Sequence, residues 1–235
     1  MTDTGGSSTA SGDLPGRLRH RFPVLDRLTY LNSCSQGALA DTVRAAYHDY
    51  LRSLEEHGSD WDHWVQRLER VRSLLATLLN ATPSQIAVTS SASAGVSALA
   101  SAFDFEHGRS TVVTTDAEFP TIGQIWHAQR RRGARVVHVP TAADHTLPLA
   151  GFERVIDDDT AIVSVTHVSF TTGARTDLEP LIDLAHSRGA YVLVDAYQSV
   201  GSLPIDLATF GADFVVGGTL KYLLGTPGVG FLFAR

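Results

Sequence analysis

Residues 161–199 read AIVSVTHVSFTTGARTDLEPLIDLAHSRGAYVLVDAYQS, and the reading of this stretch decides the fold. Ala161–Thr166 and Tyr191–Asp195 are short runs nearly continuous in Val, Ile, Leu and Ala, which suits strands buried on both faces. Leu178–Arg188 between them reads as a helix. Strand, helix, strand in that order predicts a mostly parallel sheet in an α/β domain.

Working outward, the same alternation continues. Apolar β-branched runs predict strands at Ile86–Thr89, Thr111–Thr115, Arg135–Val139, Asp213–Val216 and Val229–Phe233. Helices are expected over 92–105, 121–132 and 149–156, and two more, 38–56 and 61–80, come first, separated by Gly58-Ser59. The expected architecture is a mostly parallel seven-stranded sheet flanked by helices. Residues 1–24 are expected to form an N-terminal tail, with the Gly/Ser/Thr-rich residues 1–12 disordered. Residues 25–235 are expected to form the domain.

Composition narrows the function classes. The chain has 235 residues, 43% hydrophobic and 19% charged, which is ample for a core and excludes a disordered chain. A net charge of −6 argues against nucleic acid or an anionic membrane as the main partner. The lone Cys34 excludes an internal disulfide framework and a Cys-rich zinc site, and no H-E-x-x-H or H-x-H motif occurs, so no metal is expected. No apolar run reaches the roughly 18 residues of a membrane span. The opening MTDTGGSSTASG lacks the basic and apolar regions of a secretory signal, so a soluble, cytoplasmic protein is expected. Of 19 basic residues, 18 are arginine and one is lysine, Lys221. A codon bias that favours Arg removes lysine wherever Arg serves. The survivor is a candidate for work Arg cannot do, because Lys can lose its proton and attack a carbonyl.

In open α/β sheets ligands sit at the carboxyl ends of the strands. There the first strand runs into Ser90-Ser91-Ala92-Ser93, small residues leading into a helix start. That is either an ordinary serine cap or an anion site. The second strand is followed by Phe119, a loop anchor or a face for a flat ring. The fourth strand ends at Thr166-His167, and His167, with no ligand partner at useful spacing, reads as structural. The fifth ends at Asp195, which either caps the next turn or is functional, since a buried acid is costly without a role. Lys221 follows the sixth strand in a Gly-rich segment, 26 residues beyond Asp195. No G-x-G-x-x-G or G-x-x-x-x-G-K-[ST] motif is present, so nicotinamide and P-loop readings lack their fingerprints. A phosphate cradle, a ring-stacking aromatic, an acid and a lysine at neighbouring strand ends together fit pyridoxal 5′-phosphate.

The segments Val194-Asp195-Ala196-Tyr197-Gln198-Ser199 and Gly218-Thr219-Leu220-Lys221-Tyr222-Leu223-Leu224-Gly225-Thr226-Pro227-Gly228, with the opening Tyr30-Leu31-Asn32-Ser33, resemble the class V aminotransferase group of fold-type I pyridoxal-phosphate enzymes. That group includes cysteine desulfurases, selenocysteine lyases, kynureninases and isopenicillin-N-epimerase-like proteins. The resemblance spans about residues 27–235. It implies Lys221 as the Schiff-base lysine and Asp195 as partner of the ring nitrogen. It implies Gln198 beside the phenolic oxygen, Phe119 stacked on the ring, Ala92 and Ser93 in the phosphate loop, and Thr219 in a second phosphate-contact segment. The chain departs from the desulfurase Ser-x-His-Lys pattern, having Gly218-Thr219-Leu220-Lys221. It carries Phe170 where many members have Asn, and Thr166 is the strand-end hydroxyl in its place. The resemblance also implies a homodimer, an amino-acid substrate, and a smaller C-terminal domain that would follow Arg235 and bear the arginine for the substrate carboxylate. The expected function is therefore lyase-, desulfurase- or transaminase-like chemistry on an amino acid. The alternative is a truncated or degenerate member serving as a cofactor-binding partner subunit, with the missing domain supplied by another chain.

Overall fold

The structure, a computed structural model, describes residues 13–235, so the expected disorder of residues 1–12 lies outside them. The strands are β1 (Ile86–Thr89), β2 (Thr111–Thr115), β3 (Arg135–Val139), β4 (Thr160–Thr166), β5 (Tyr191–Asp195), β6 (Phe214–Gly218) and β7 (Gly230–Ala234). The helices are α1 (Leu14–Leu18), α2 (Asp41–His57), α3 (Trp61–Leu78), α4 (Ala92–Ser101), α5 (Pro120–Ala128), α6 (Leu149–Glu153) and α7 (Leu178–Ser187). The sheet order is β1-β7-β6-β5-β4-β2-β3.

Pairing is parallel from β3 through β2, β4 and β5 to β6, as the alternation of strands and helices requires. β7 is the exception. It returns from β6 without a helix and pairs antiparallel with both β6 and β1. β1 therefore runs in the same direction as β6, and the carboxyl ends of β1, β2, β4, β5 and β6 share one edge. The returning segment between β6 and β7 carries Lys221.

Strand residues alternate between two cores. Val163 and Val165 of β4 and Val192 and Val194 of β5 pack with Leu75, Leu181 and Ile182 of α3 and α7. Ile162 and Leu193 point the other way, to Val96 and Leu99 of α4 and to Ile122 and Trp126 of α5. Both faces are covered, which is why these strands lack the apolar–polar alternation of a half-exposed sheet.

Several helices stop earlier than their apolar patterns suggest. The expected helix over 121–132 runs as α5 to Ala128, tightens into a 3-10 turn at Gln129–Arg132, and ends at Gly133 with φ 89°. The helix expected over 92–105 ends at Ser101, after which Phe105 turns into the core. Residues 13–26 form α1 and two 3-10 turns. No helix among the described residues is long and apolar enough to cross a membrane.

Candidate active site

The chain enters β2, moves outward to β3, and returns to the other side of β2 to lay down β4. Such reversals open a crevice beyond the strand ends. A cavity of about 440 Å³ lies there, and seven of the expected residues line it: Ala92, Ser93, Phe119, Thr166, Asp195, Gln198 and Lys221.

One end of the cavity is the start of α4. Ser91 is its N-cap, and its hydroxyl accepts from the Ala94 N–H at 3.0 Å. The N–H groups of Ala92 and Ser93 lie in the turn that has no partner within the helix, where the positive end of the helix dipole favours an anion. The Ser93 and Thr121 hydroxyls, 2.9 Å apart, join α4 to α5 beside this start. Gly230 of β7 passes so close that a Cβ there would lie 2.6 Å from the Ser91 carbonyl carbon and 2.8 Å from the Ala92 nitrogen. Only glycine lets the strand support the helix start at this distance.

The opposite wall carries charge. Asp195 is 7% exposed, and its Oδ1 accepts from the Tyr197 N–H at 2.8 Å. Burial pushes this carboxyl up to about 6, against the pull of the Tyr197 N–H and of Lys221. Lys221 Nζ lies 4.7 Å from the Tyr197 ring centre and 5.6 Å from that of Phe119, so the ammonium faces aromatic surfaces. Burial lowers its pKa, offset by Asp195 and Cys34. No ion pair among the described residues ties it down. Phe119 and Phe170 meet edge to face at 5.2 Å. Gln198 donates through Nε2 to the Cys34 carbonyl at 3.0 Å, and its Oε1 is buried without a partner.

Thr219 is not brought in. Its hydroxyl turns to the carbonyls of Val229 and Thr226, at 3.3 and 3.4 Å, inside the loop that carries Lys221. His167, read as structural, is buried against Ser199, with Nδ1 2.9 Å from the hydroxyl. Cys34, Ser35, Thr121, Phe170, Tyr197 and Leu220 also line the cavity. None of these was singled out from sequence as a site residue. Tyr197 and Leu220 could have been found from their places beside Asp195 and Lys221. Cys34 and Ser35 arrive from a distant segment and left no local signal. Glu118, buried next to Phe119, was also passed over.

The Aminotransferase class-V family matches residues 30–235, and the chain belongs to that family. It is 38% identical to an uncharacterized aminotransferase, YcbU, of Bacillus subtilis, covering 94% of this chain and 59% of the relative. It is 33% identical to a kynureninase of Pseudomonas fluorescens, covering 90% and 52%. A solved structure of C-DES with glycine covalently linked to its PLP cofactor superposes with a TM-score of 0.85 at 28% identity, covering 92% of this chain and 59% of that one. The chain thus spans between about half and three-fifths of the length of the relatives it matches.

Proposed function

We propose that the chain forms the cofactor-binding core of a pyridoxal-phosphate-dependent enzyme that acts on an amino acid. The observation that carries this reading is the convergence on one cavity of the only lysine, a buried strand-end carboxylate and an open helix start. The fit extends to an unpartnered Gln198 Oε1, flanking aromatic faces and the anion-seeking turn of Ala92 and Ser93. The C-DES structure, with glycine on its PLP, supports the assignment.

When bound, pyridoxal 5′-phosphate supplies an aldehyde that condenses with amines and a ring that accepts an electron pair. The residues then divide the work. Lys221 would supply the amine for that aldehyde and a base for the substrate Cα proton, helped by a burial that eases loss of its own proton. Asp195 would hold a proton on the ring nitrogen through its charge. Phe119 would offer a face for the ring, Gln198 and Thr166 would offer hydrogen-bonding groups, and the N–H groups of Ala92 and Ser93 would hold the phosphate. Thr219 acts one step back, shaping the Lys221 loop. Among the described residues no arginine lines the cavity, so the substrate carboxylate is proposed to be gripped from outside it. The reading includes a homodimer, supported by apolar side chains left in solvent such as Leu31 at 86% and Trp61 at 69% exposure. It also includes a cytoplasmic setting, which suits the free, exposed Cys34.

The test is direct. Borohydride treatment of protein mixed with pyridoxal 5′-phosphate is expected to fix the cofactor on the peptide that contains Lys221, seen by mass, and Lys221→Ala is expected to abolish it. Equal labelling in the variant sinks the assignment.

A further inference from the structure

Glu118 has no part in the mechanism above, yet it is 6% exposed and both its carboxyl oxygens are buried without a hydrogen-bond partner. It lies three residues past the end of β2, behind the cavity wall rather than in it. β2 pairs with β4 and β4 with β5, with Thr166 opposite Asp195, so Glu118, Thr166 and Asp195 sit at the ends of three adjacent strands. An acid that only fills space is a poor filler, because glutamine or leucine occupies similar volume without the cost of burying a charge.

We propose that Glu118 is a positioning residue that acts through Asp195: its buried, unpartnered carboxyl, at the strand ends beside Thr166 and Asp195, stands behind the Asp195 carboxylate and directs that charge toward the cavity. Two neighbouring buried carboxyls do not both ionise, and the pair shares a proton. The surroundings decide which keeps it. Asp195 has the Tyr197 N–H on Oδ1 and Lys221 across the cavity. Both Glu118 oxygens lack a partner, and burial, with the Asp195 charge, holds its carboxyl well above the usual carboxylate range. The proton therefore belongs to Glu118 and the charge to Asp195. In the proposed arrangement the protonated Glu118 carboxyl donates its O–H toward Asp195. This role rests on the reading that Asp195 serves the cofactor ring.

The test reads the carboxyls themselves, in the cofactor-free protein, so its failure is distinct from failure of cofactor attachment to Lys221. With 13C-labelled Glu and Asp side-chain carboxyls, the Glu118 resonance is expected at its neutral position at pH 7 and that of Asp195 at its ionised position. Asp195→Asn is expected to let Glu118 ionise at lower pH. Glu118→Gln, a neutral group for a neutral group, is expected to leave the Asp195 midpoint within a few tenths of a pH unit. Glu118→Leu, which keeps bulk but removes the donor, is expected to raise that midpoint by about one pH unit. An ionised Glu118 at pH 7 overturns the proposal. So does a Glu118→Leu protein that melts like the parent and leaves the Asp195 midpoint in place. If Glu118→Leu does not fold, the parent, Asp195→Asn and Glu118→Gln titrations decide.

Discussion

The two sides of the cavity are built differently. The strand-end side takes Thr166 and Asp195 from neighbouring ladders of a sheet covered on both faces. The side formed by residues 30–37 has no helix or strand, and few bonds hold it to the domain. Gln198 Nε2 donates to the Cys34 carbonyl, and the Gly37 N–H donates to the Leu220 carbonyl at 2.8 Å. Leu31, in the same segment, is almost fully in solvent. The sheet can hold a costly charge in place because its neighbours are paired in ladders and packed on both faces. The segment contributes surface and closure, and its placement rests on backbone groups more than on the identity of its side chains.

The largest effect is expected where the rigid side is tightest. Gly230→Val places a side chain against the backbone of Ser91 and Ala92, and neither side of that contact can move without displacing β7 or α4. A loss of roughly 3 kcal/mol is expected in chemical denaturation, with loss of phosphate affinity in what still folds. Next comes the charge. The folded pKa of Asp195, about 6, exceeds the ordinary 3.8, so the unfolded chain gives up this proton first as pH rises. Any stability from this group is present below about pH 4 and is lost as pH climbs through 6. At pH 7 the cofactor-free protein therefore carries a penalty, and Asp195→Asn should raise its stability by roughly 1–3 kcal/mol while weakening cofactor function. A variant less stable than the parent at pH 7 shows that the charge is better compensated than its burial implies.

His167 has the opposite sign. Burial, helped by Arg175, depresses it to about 4. The unfolded chain takes up a proton near 6.5 while the folded one resists until about 4, so stability falls as pH drops across that window. His167→Asn is expected to flatten this acid limb in thermal melts. An unchanged limb assigns the acid sensitivity to another group.

The same division explains what was legible in the sequence. β1, β2, β3 and β5 fall where their β-branched runs place them, because continuous apolar runs have few other ways to be buried. Lys221 stood out by being alone, and Asp195 by ending an apolar strand. Helix ends were read too long because turns such as Gly133 set them, not the apolar period. The antiparallel return of β7 has no mark in its own residues. Thr219 was placed by resemblance, and its hydroxyl instead serves its own loop. Glu118 and Cys34 were missed for a common reason: the importance of each depends on residues far away in the chain, across a strand ladder for one and across a single side-chain bond for the other.

The smallest effect sharpens the comparison most. Cys34 lines the cavity, but the Gln198 side chain holds it by its backbone carbonyl, not by its thiol. The thiol's own contact is to Asn32, at 3.7 Å, near the surface. Cys34→Ala keeps the carbonyl and is expected to change stability by no more than about 0.5 kcal/mol, with cofactor fixation on Lys221 intact. Gln198→Ala removes the anchor and leaves the thiol, so it should loosen residues 30–37 in hydrogen exchange while the sheet stays protected. Location still has a consequence for Cys34. A thiol in the lining of a filled cavity is less open to reagents, so pyridoxal 5′-phosphate is expected to slow its alkylation in the parent and less so in Lys221→Ala. A Cys34→Ala protein that loses cofactor while folding normally would make the thiol part of the chemistry and erase the distinction between the two sides.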